Sequence, residues 1–212
     1  MIRHMLVALA DYNNPRSLGS RLRRRRNRLI VELIDAIYSQ KTSVRICDLG
    51  GRRAYWRDFG EDYLKSRGVH ITLVNFEAEI SDAAQDPRFA PVCGDACSLS
   101  QFADGSFDLA HSNSVIEHVG GWERVKQFAA ETRRLAPAYY LQTPYFWCPI
   151  EPHFLTPFIH WLPESWRIKI VMLTALGQYP KAGSVGQAMD IVRDAVLLDK
   201  TQLRYLLPDA SI

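Results

Sequence analysis

Strand-like runs alternate with helical stretches through the middle of this chain, and that alternation constrains its fold more than any other feature. The run Val44-Arg45-Ile46-Cys47-Asp48-Leu49 ends at Gly50-Gly51 and is followed by a helical stretch from about Tyr55 to Arg67, closed by Gly68. Val69 to Phe76 reads as a second strand, rich in β-branched residues, and Pro91-Val92-Cys93 as a shorter third ahead of Gly94-Asp95. A fourth, Phe107 to His111, follows the turn Asp104-Gly105-Ser106. A helix with Trp122, Val125, Phe128, Ala129 and Thr132 on one face comes next, and Ala138 to Gln142 reads as a fifth strand broken by Thr143-Pro144. Right-handed βαβ crossovers between such runs build a mostly parallel sheet with helices on both faces, an α/β fold.

Two segments stand outside this rhythm. Residues 1–43 form an Arg-rich segment whose apolar set Leu29, Ile30, Leu33, Ile34 and Ile37 predicts one helix over about 20–39. The remaining span, 44–212, reads as one domain carrying an aromatic insertion at about 145–180, where five prolines and three of the five Trp collect. The insertion is expected to lie over the sheet's edge as a lid with a small core of its own. Ala188, Ile191, Val192 and Ala195 predict a further helix, and Asp199 an N-cap for a short one ending before Pro208.

Composition narrows the class. At 47% hydrophobic and 23% charged over 212 residues, the chain is a globular protein of about one domain. No apolar run approaches the roughly 18 residues of a membrane span, and Met5 to Ala10 is too brief for a secretion signal, so the expected setting is the cytoplasm. Four Cys show no framework spacing, and six scattered His show no ligand spacing, so no metal is expected. Residues 1–30 hold eight Arg against Asp11, a net of +7, which leaves the rest at −4. A basic partner surface is therefore confined to Arg21, Arg23 to Arg26 and Arg28. That cluster reads first as a solvated helix face, with anion binding as the alternative and nucleic-acid binding disfavoured.

In an open parallel sheet, ligands bind beyond the carboxyl ends of the strands. There this chain places Asp48-Leu49-Gly50-Gly51, an acidic residue just past the second strand, Gly94-Asp95-Ala96 and Ser112-Asn113-Ser114. Glycines let the backbone turn sharply and approach a ligand closely. These segments, with Ser106-Phe107-Asp108-Leu109 and above all Ser112 to Val119, resemble the class I S-adenosylmethionine-dependent methyltransferases, over about residues 44 to 145 and in the right order. The resemblance implies a Rossmann-like, mostly parallel α/β sheet with helices on both faces, S-adenosylmethionine as cofactor and methyl transfer to a small-molecule acceptor. It implies Gly50 and Gly51, with Asp48 before them, beside the amino acid moiety, and Glu77 or Asn75 on the ribose. Asp95 and Ala96 then fall beside the adenine and Asn113 on the sulfonium side. The chain departs from the family pattern in placing Arg52-Arg53 after the glycines.

Two histidines are candidate catalytic residues: His118, which also reads as a structural helix-start residue, and His153 in Glu151-Pro152-His153-Phe154. The family's sheet usually closes with a strand hairpin that is not readable here. The fifth strand is then an open edge, through which the chain is expected to associate with its own kind. The rival to an enzyme is a degenerate methyltransferase fold serving as a partner subunit, supported by Arg52-Arg53. A nicotinamide-dependent dehydrogenase is disfavoured because no Gly-x-Gly-x-x-Gly follows the first strand.

Overall fold

The computed structural model describes residues 18–76 and 86–212. Helix α1 (Leu18–Tyr38) leads into β1 (Val44–Leu49), and two short helices, α2 (Arg53–Trp56) and α3 (Glu61–Ser66), precede β2 (Val69–Asn75). Strands β3 (Phe89–Cys93) and β4 (Leu109–Asn113), helix α4 (Trp122–Leu135) and strand β5 (Ala138–Gln142) complete the sheet layer. All pairings in this sheet are parallel and its order is β3-β2-β1-β4-β5, the doubly wound arrangement that the alternation predicts.

Burial follows the two-residue period of a strand. Val44 and Ile46 of β1 face a cluster with Ile30 and Ile34 of α1, Trp56 and Leu64; Cys47 and Leu49 face the other side, against Val125, Phe128 and Ala129 of α4. A strand covered on both faces reads as a near-continuous apolar run, and β1 is exposed only at Arg45.

Two elements depart from expectation for local reasons. The helix expected over Tyr55 to Arg67 is divided by a 3-10 turn at Arg57–Phe59 and by Gly60, whose φ of 80° lies in the left-handed region glycine tolerates. The fourth strand begins at Leu109 rather than Phe107. Ahead of it the buried Asp108 carboxylate accepts the Arg45 amide at 2.8 Å and pairs with Lys41. Burial alone would raise the Asp108 carboxyl, but Lys41 and the Arg45 amide outweigh it and hold the group below the usual carboxylate range.

The insertion forms a ribbon of β6 (Ile150–Glu151) and β7 (Thr156–Pro157), a 3-10 turn at Ile159–Trp161 and helix α5 (Glu164–Leu173). With α6 (Val185–Arg193) it encloses its own cluster around Phe154, Ile159, Val171, Ala188 and Ile191. Helix α7 (Lys200–Leu206) starts in a capping box, Asp199 accepting from the Gln202 amide at 2.9 Å while the Gln202 side chain accepts from the Asp199 amide at 2.8 Å. The insertion does not cover the sheet's edge. The groove beside β5 is lined by Leu29 and Leu33 of α1, by Leu203 and Leu207, and by residues 209–212. The insertion stands instead past the carboxyl end of β5, where the Phe146 amide donates to the Leu198 carbonyl at 3.0 Å. No helix among the described residues is long and apolar enough to cross a membrane.

Candidate functional site

The strand order reverses between β1 and β4, and the turns leaving those two strands meet face to face. Gly50 leaves β1 with φ 70°, its amide donating to the Val74 carbonyl of β2 at 2.8 Å. Val115, just past β4, lies directly over it, so a Cβ on Gly50 would stand 2.5 Å from a Val115 methyl. Ser114, between Asn113 and Val115, is itself left-handed at φ 57°, a conformation costing a non-glycine residue about 1–3 kcal/mol and met most often at functional sites.

On the β2 side of this junction a cavity of about 160 Å³ is lined by Gly50, Asn75, Phe76, Gly94, Asp95, Ala96, Val115 and His118, among others. Asn75 donates to the Gly51 carbonyl at 3.3 Å. Asp95 holds Arg124 through both oxygens at 2.7 Å and accepts the Cys97 amide at 3.0 Å. Burial opposes this carboxylate's charge, but the Cys97 amide and Arg124 outweigh it and keep its carboxyl below the ordinary range. Phe76, 67% exposed, offers an aromatic face at the rim that the sequence reading did not single out.

On the β5 side a cleft of about 400 Å³ is lined by Asn113 and Ser114, Tyr55, Gln142, Tyr145, and two arginines of α1, Arg23 and Arg26. Arg26 donates to the Gln142 side chain at 2.6 Å and Arg23 pairs with Asp58. The arginine helix is therefore not simply a solvated face, since two of its guanidinium groups are docked over the ends of the strands.

The structure thus brings Gly50, Asn75, Asp95, Ala96 and His118 together around one cavity and places Asn113 in the neighbouring cleft; Gly51 joins them through its carbonyl. Glu77 lies outside the described residues. Asp48 is a different matter. Its side chain is 1% exposed and turned into the core, where one oxygen accepts Trp56 Nε1 and the other meets His111 Nδ1, each at 2.6 Å. A carboxylate so engaged is closed to a cofactor and serves instead to tie β1 to β4 and α2. Arg53, one of the two arginines that depart from the family pattern after the glycines, reaches toward Asp86 at 3.6 Å and lies over the Phe89 ring.

His118 and His153 come together although 35 residues of chain connect them. Their rings meet edge to face at 4.9 Å between centroids. The Glu151 carboxylate holds His153 Nδ1 at 2.6 Å and the Asp194 carbonyl holds His118 Nδ1 at 3.0 Å. Glu117, which the sequence reading passed over, is fully buried beside them, with one oxygen accepting Thr143 Oγ1 at 3.0 Å. Burial raises its carboxyl above the ordinary range. A wider cavity of about 630 Å³, lined by Gly120, Glu151, His160, Arg167 and Tyr179, opens on the insertion side of this cluster.

Residues 59–137 match a family model described as a methyltransferase domain. That match covers a little over a third of the chain and, with the parallel order β3-β2-β1-β4-β5, is consistent with a Rossmann-like α/β methyltransferase fold. No curated protein matches the chain. Among solved structures, a putative Zn-dependent alcohol dehydrogenase from Rhodobacter sphaeroides is similar at 15% identity and a TM-score of 0.51, over 97% of this chain and 85% of that one, which speaks for the fold alone. A putative methyltransferase from an antibiotic biosynthesis pathway of Anabaena variabilis shares 17% identity over 69% of this chain and 60% of its own, at a TM-score of 0.45. A Burkholderia thailandensis 1,6-didemethyltoxoflavin-N1-methyltransferase, solved with 1,6-didemethyltoxoflavin and S-adenosylhomocysteine, shares 19% over 50% and 46%, at 0.36. The chain spans less than two thirds of the length of each of these last two proteins.

Proposed function

We propose that this protein is an S-adenosylmethionine-dependent methyltransferase acting on a small-molecule acceptor. The observation that carries the reading is the meeting of the Gly50 turn with Val115, just past Asn113 and Ser114, at the reversal of strand order, with a cavity on one side and a cleft on the other. The residues present suit the cofactor. Phe76 offers a ring for the adenine, with Asp95 and Ala96 beside it, and Asn75 stands where ribose hydroxyls need partners. Gly50 and Gly51 would leave room for the amino acid moiety, and Asn113 would stand on the sulfonium side.

When bound, S-adenosylmethionine supplies an electrophilic methyl group. The chain's own contribution is alignment, because the sulfonium is already a good leaving group. The cleft would hold the acceptor, and Arg23 and Arg26 in its wall would favour an anionic small molecule. His118 and His153 stand on its insertion side as the catalytic candidates. The free thiols of Cys47, Cys93, Cys97 and Cys148 suit a cytoplasmic setting. Two copies would associate through the open edge of β5.

A second reading, a degenerate fold that serves as a partner subunit, is favoured by the small size of the 160 Å³ cavity against the 300 Å³ or more typical of cofactor sites. Calorimetry with S-adenosylhomocysteine separates the two. Saturable binding that Gly50→Val weakens supports the enzyme, and no binding to folded protein leaves the degenerate fold.

A further inference from the structure

We propose that Glu117, His118 and His153 bind a divalent transition-metal ion of the zinc type. One ligand atom from each residue lies within 4.8 Å of the others. Tetrahedral zinc with bonds of about 2.0–2.2 Å needs its ligands about 3.4 Å apart. Closing that gap takes small side-chain rotations, since both rings and the carboxylate already converge.

Three independent features make this a built site rather than a chance meeting of polar groups. First, Glu117 is fully buried, and while Thr143 satisfies one carboxylate oxygen, Oε1 has no hydrogen-bond partner. An uncompensated buried carboxylate oxygen is costly, and a cation is the partner that relieves it most. Secondly, both histidines are oriented from behind, as metal-bound histidines are: Glu151 holds Nδ1 of His153 and the Asp194 carbonyl holds Nδ1 of His118, which leaves Nε2 of each for the ion. The second Glu151 oxygen is fixed in turn by the Phe154 amide at 2.5 Å. Thirdly, three carboxylates, Glu117, Glu151 and Asp194, surround two imidazoles, with Asp194 Oδ2 3.4 Å from His118. A divalent cation balances that excess of negative charge.

The donor set sorts the metal. Two imidazoles and one carboxylate suit zinc, cobalt or iron, whereas magnesium and calcium prefer oxygen ligands throughout. Three protein ligands leave a coordination position open. His118 lines the cavity beside the Gly50 turn, and Thr143 and His153 adjoin in sequence Gln142, Pro144 and Pro152 of the cleft, so an acceptor held in the cleft would have the open position near it. That role for the ion rests on the methyltransferase reading; the binding of the ion does not.

The test uses the full chain, stripped with a chelator and dialysed, and titrated with Zn²⁺ by calorimetry and with Co²⁺ by visible absorption. Each sample is checked by its thermal melt. One equivalent of Zn²⁺ is expected, with d–d bands from Co²⁺ and a higher melting temperature in the presence of the metal. Both His118→Ala and His153→Ala should weaken binding at least a hundredfold, and Glu151→Gln, which touches no ion, ten- to a hundredfold. Should a ligand variant fail to fold, Glu117→Gln, which keeps the Thr143 hydrogen bond, must show the same loss. The proposal is overturned if folded wild-type protein takes up no Zn²⁺, if the variants bind as well as wild type, or if Mg²⁺ binds more tightly than Zn²⁺. S-adenosylhomocysteine binding measured on the same samples distinguishes the two readings, since loss of one leaves the other standing.

Discussion

Gly51→Ala should cost this protein far more than a methyl group on a loop usually does. Gly51 is not in the left-handed region, so the added Cβ meets no backbone objection; its difficulty is where it lands. An ideal Cβ falls 2.5 Å from Asp48 Oδ1 and closer still to Oδ2, inside any permissible contact. The carboxylate must swing away, and in doing so it leaves Trp56 Nε1 and His111 Nδ1, each now bound at 2.6 Å in a setting where Asp48 is 1% exposed. A hydrogen bond to a charged group contributes about 1.5–3 kcal/mol, so losing most of both predicts roughly 3–5 kcal/mol of destabilisation. Urea unfolding followed by far-ultraviolet circular dichroism measures it. The mechanism is checked by a double-mutant cycle: in an Asp48→Ala background the clash is gone, and Gly51→Ala should cost less than about 1 kcal/mol, giving a coupling of about 2 kcal/mol or more. Additivity within about 0.5 kcal/mol, or a single-variant cost under about 1 kcal/mol, would refute the reasoning.

Gly50→Val should lower S-adenosylhomocysteine affinity at least tenfold and destabilise the fold by about 1–2 kcal/mol from φ 70° alone, read by calorimetry and thermal melting. Asp108→Asn should be destabilising at neutral pH. Because the folded-state carboxyl is held below its unfolded value of about 3.9, the gap to wild type should persist above that pH and close as pH falls through the folded value; a gap unchanged at pH 2 would contradict the Lys41 and Arg45 account. Arg28→Gln, which removes an exposed pair with Glu32, should change stability by less than about 0.5 kcal/mol, whereas Arg26→Ala should cost about 1 kcal/mol through its Gln142 bond. Equal effects would restore the view of the arginine helix as a uniformly solvated face.

The sheet was legible because β1 and β2 carry apolar residues on both faces and β4 is buried along nearly its whole length, which is what parallel central strands require. What the sequence hides is register. Asp48 sits directly opposite His111 in the β1–β4 ladder, and that pairing, with Trp56 eight residues on, turns the carboxylate into the core. Reading the residue by its place before a glycine turn assigns it to a ligand; reading it by its cross-strand neighbour assigns it to the core. The Glu117, His118 and His153 cluster escapes detection for a related reason. Its third member is carried on the β6–β7 ribbon of an insertion, so no fixed spacing links it to the other two. The docking of Arg23 and Arg26 over the strand ends likewise depends on how α1 crosses the sheet, which helical periodicity does not specify.

The open edge of β5 follows from the same topology and sets a final expectation. Among the described residues β5 pairs with β4 alone, and all five of its residues are half-buried rather than covered. Beside it runs a groove of about 710 Å³, walled by Leu29 and Leu33 on one side and Leu203, Leu207 and Ile212 on the other. A parallel strand buried on only one edge presents unpaired amides and carbonyls, and an apolar groove next to them favours addition of another strand. The strand best matched to that site is a second β5, because a two-fold axis places identical edges antiparallel and closes the assembly at a dimer. Sedimentation on the order of 10 µM should therefore show a dimer. Leu29→Glu, at a position already 48% exposed on α1, should shift it to monomer without lowering the melting temperature of the monomer by more than a few degrees. A wild-type protein that stays monomeric at ten times that concentration would mean that the groove walls shield the edge well enough to leave β5 unpaired.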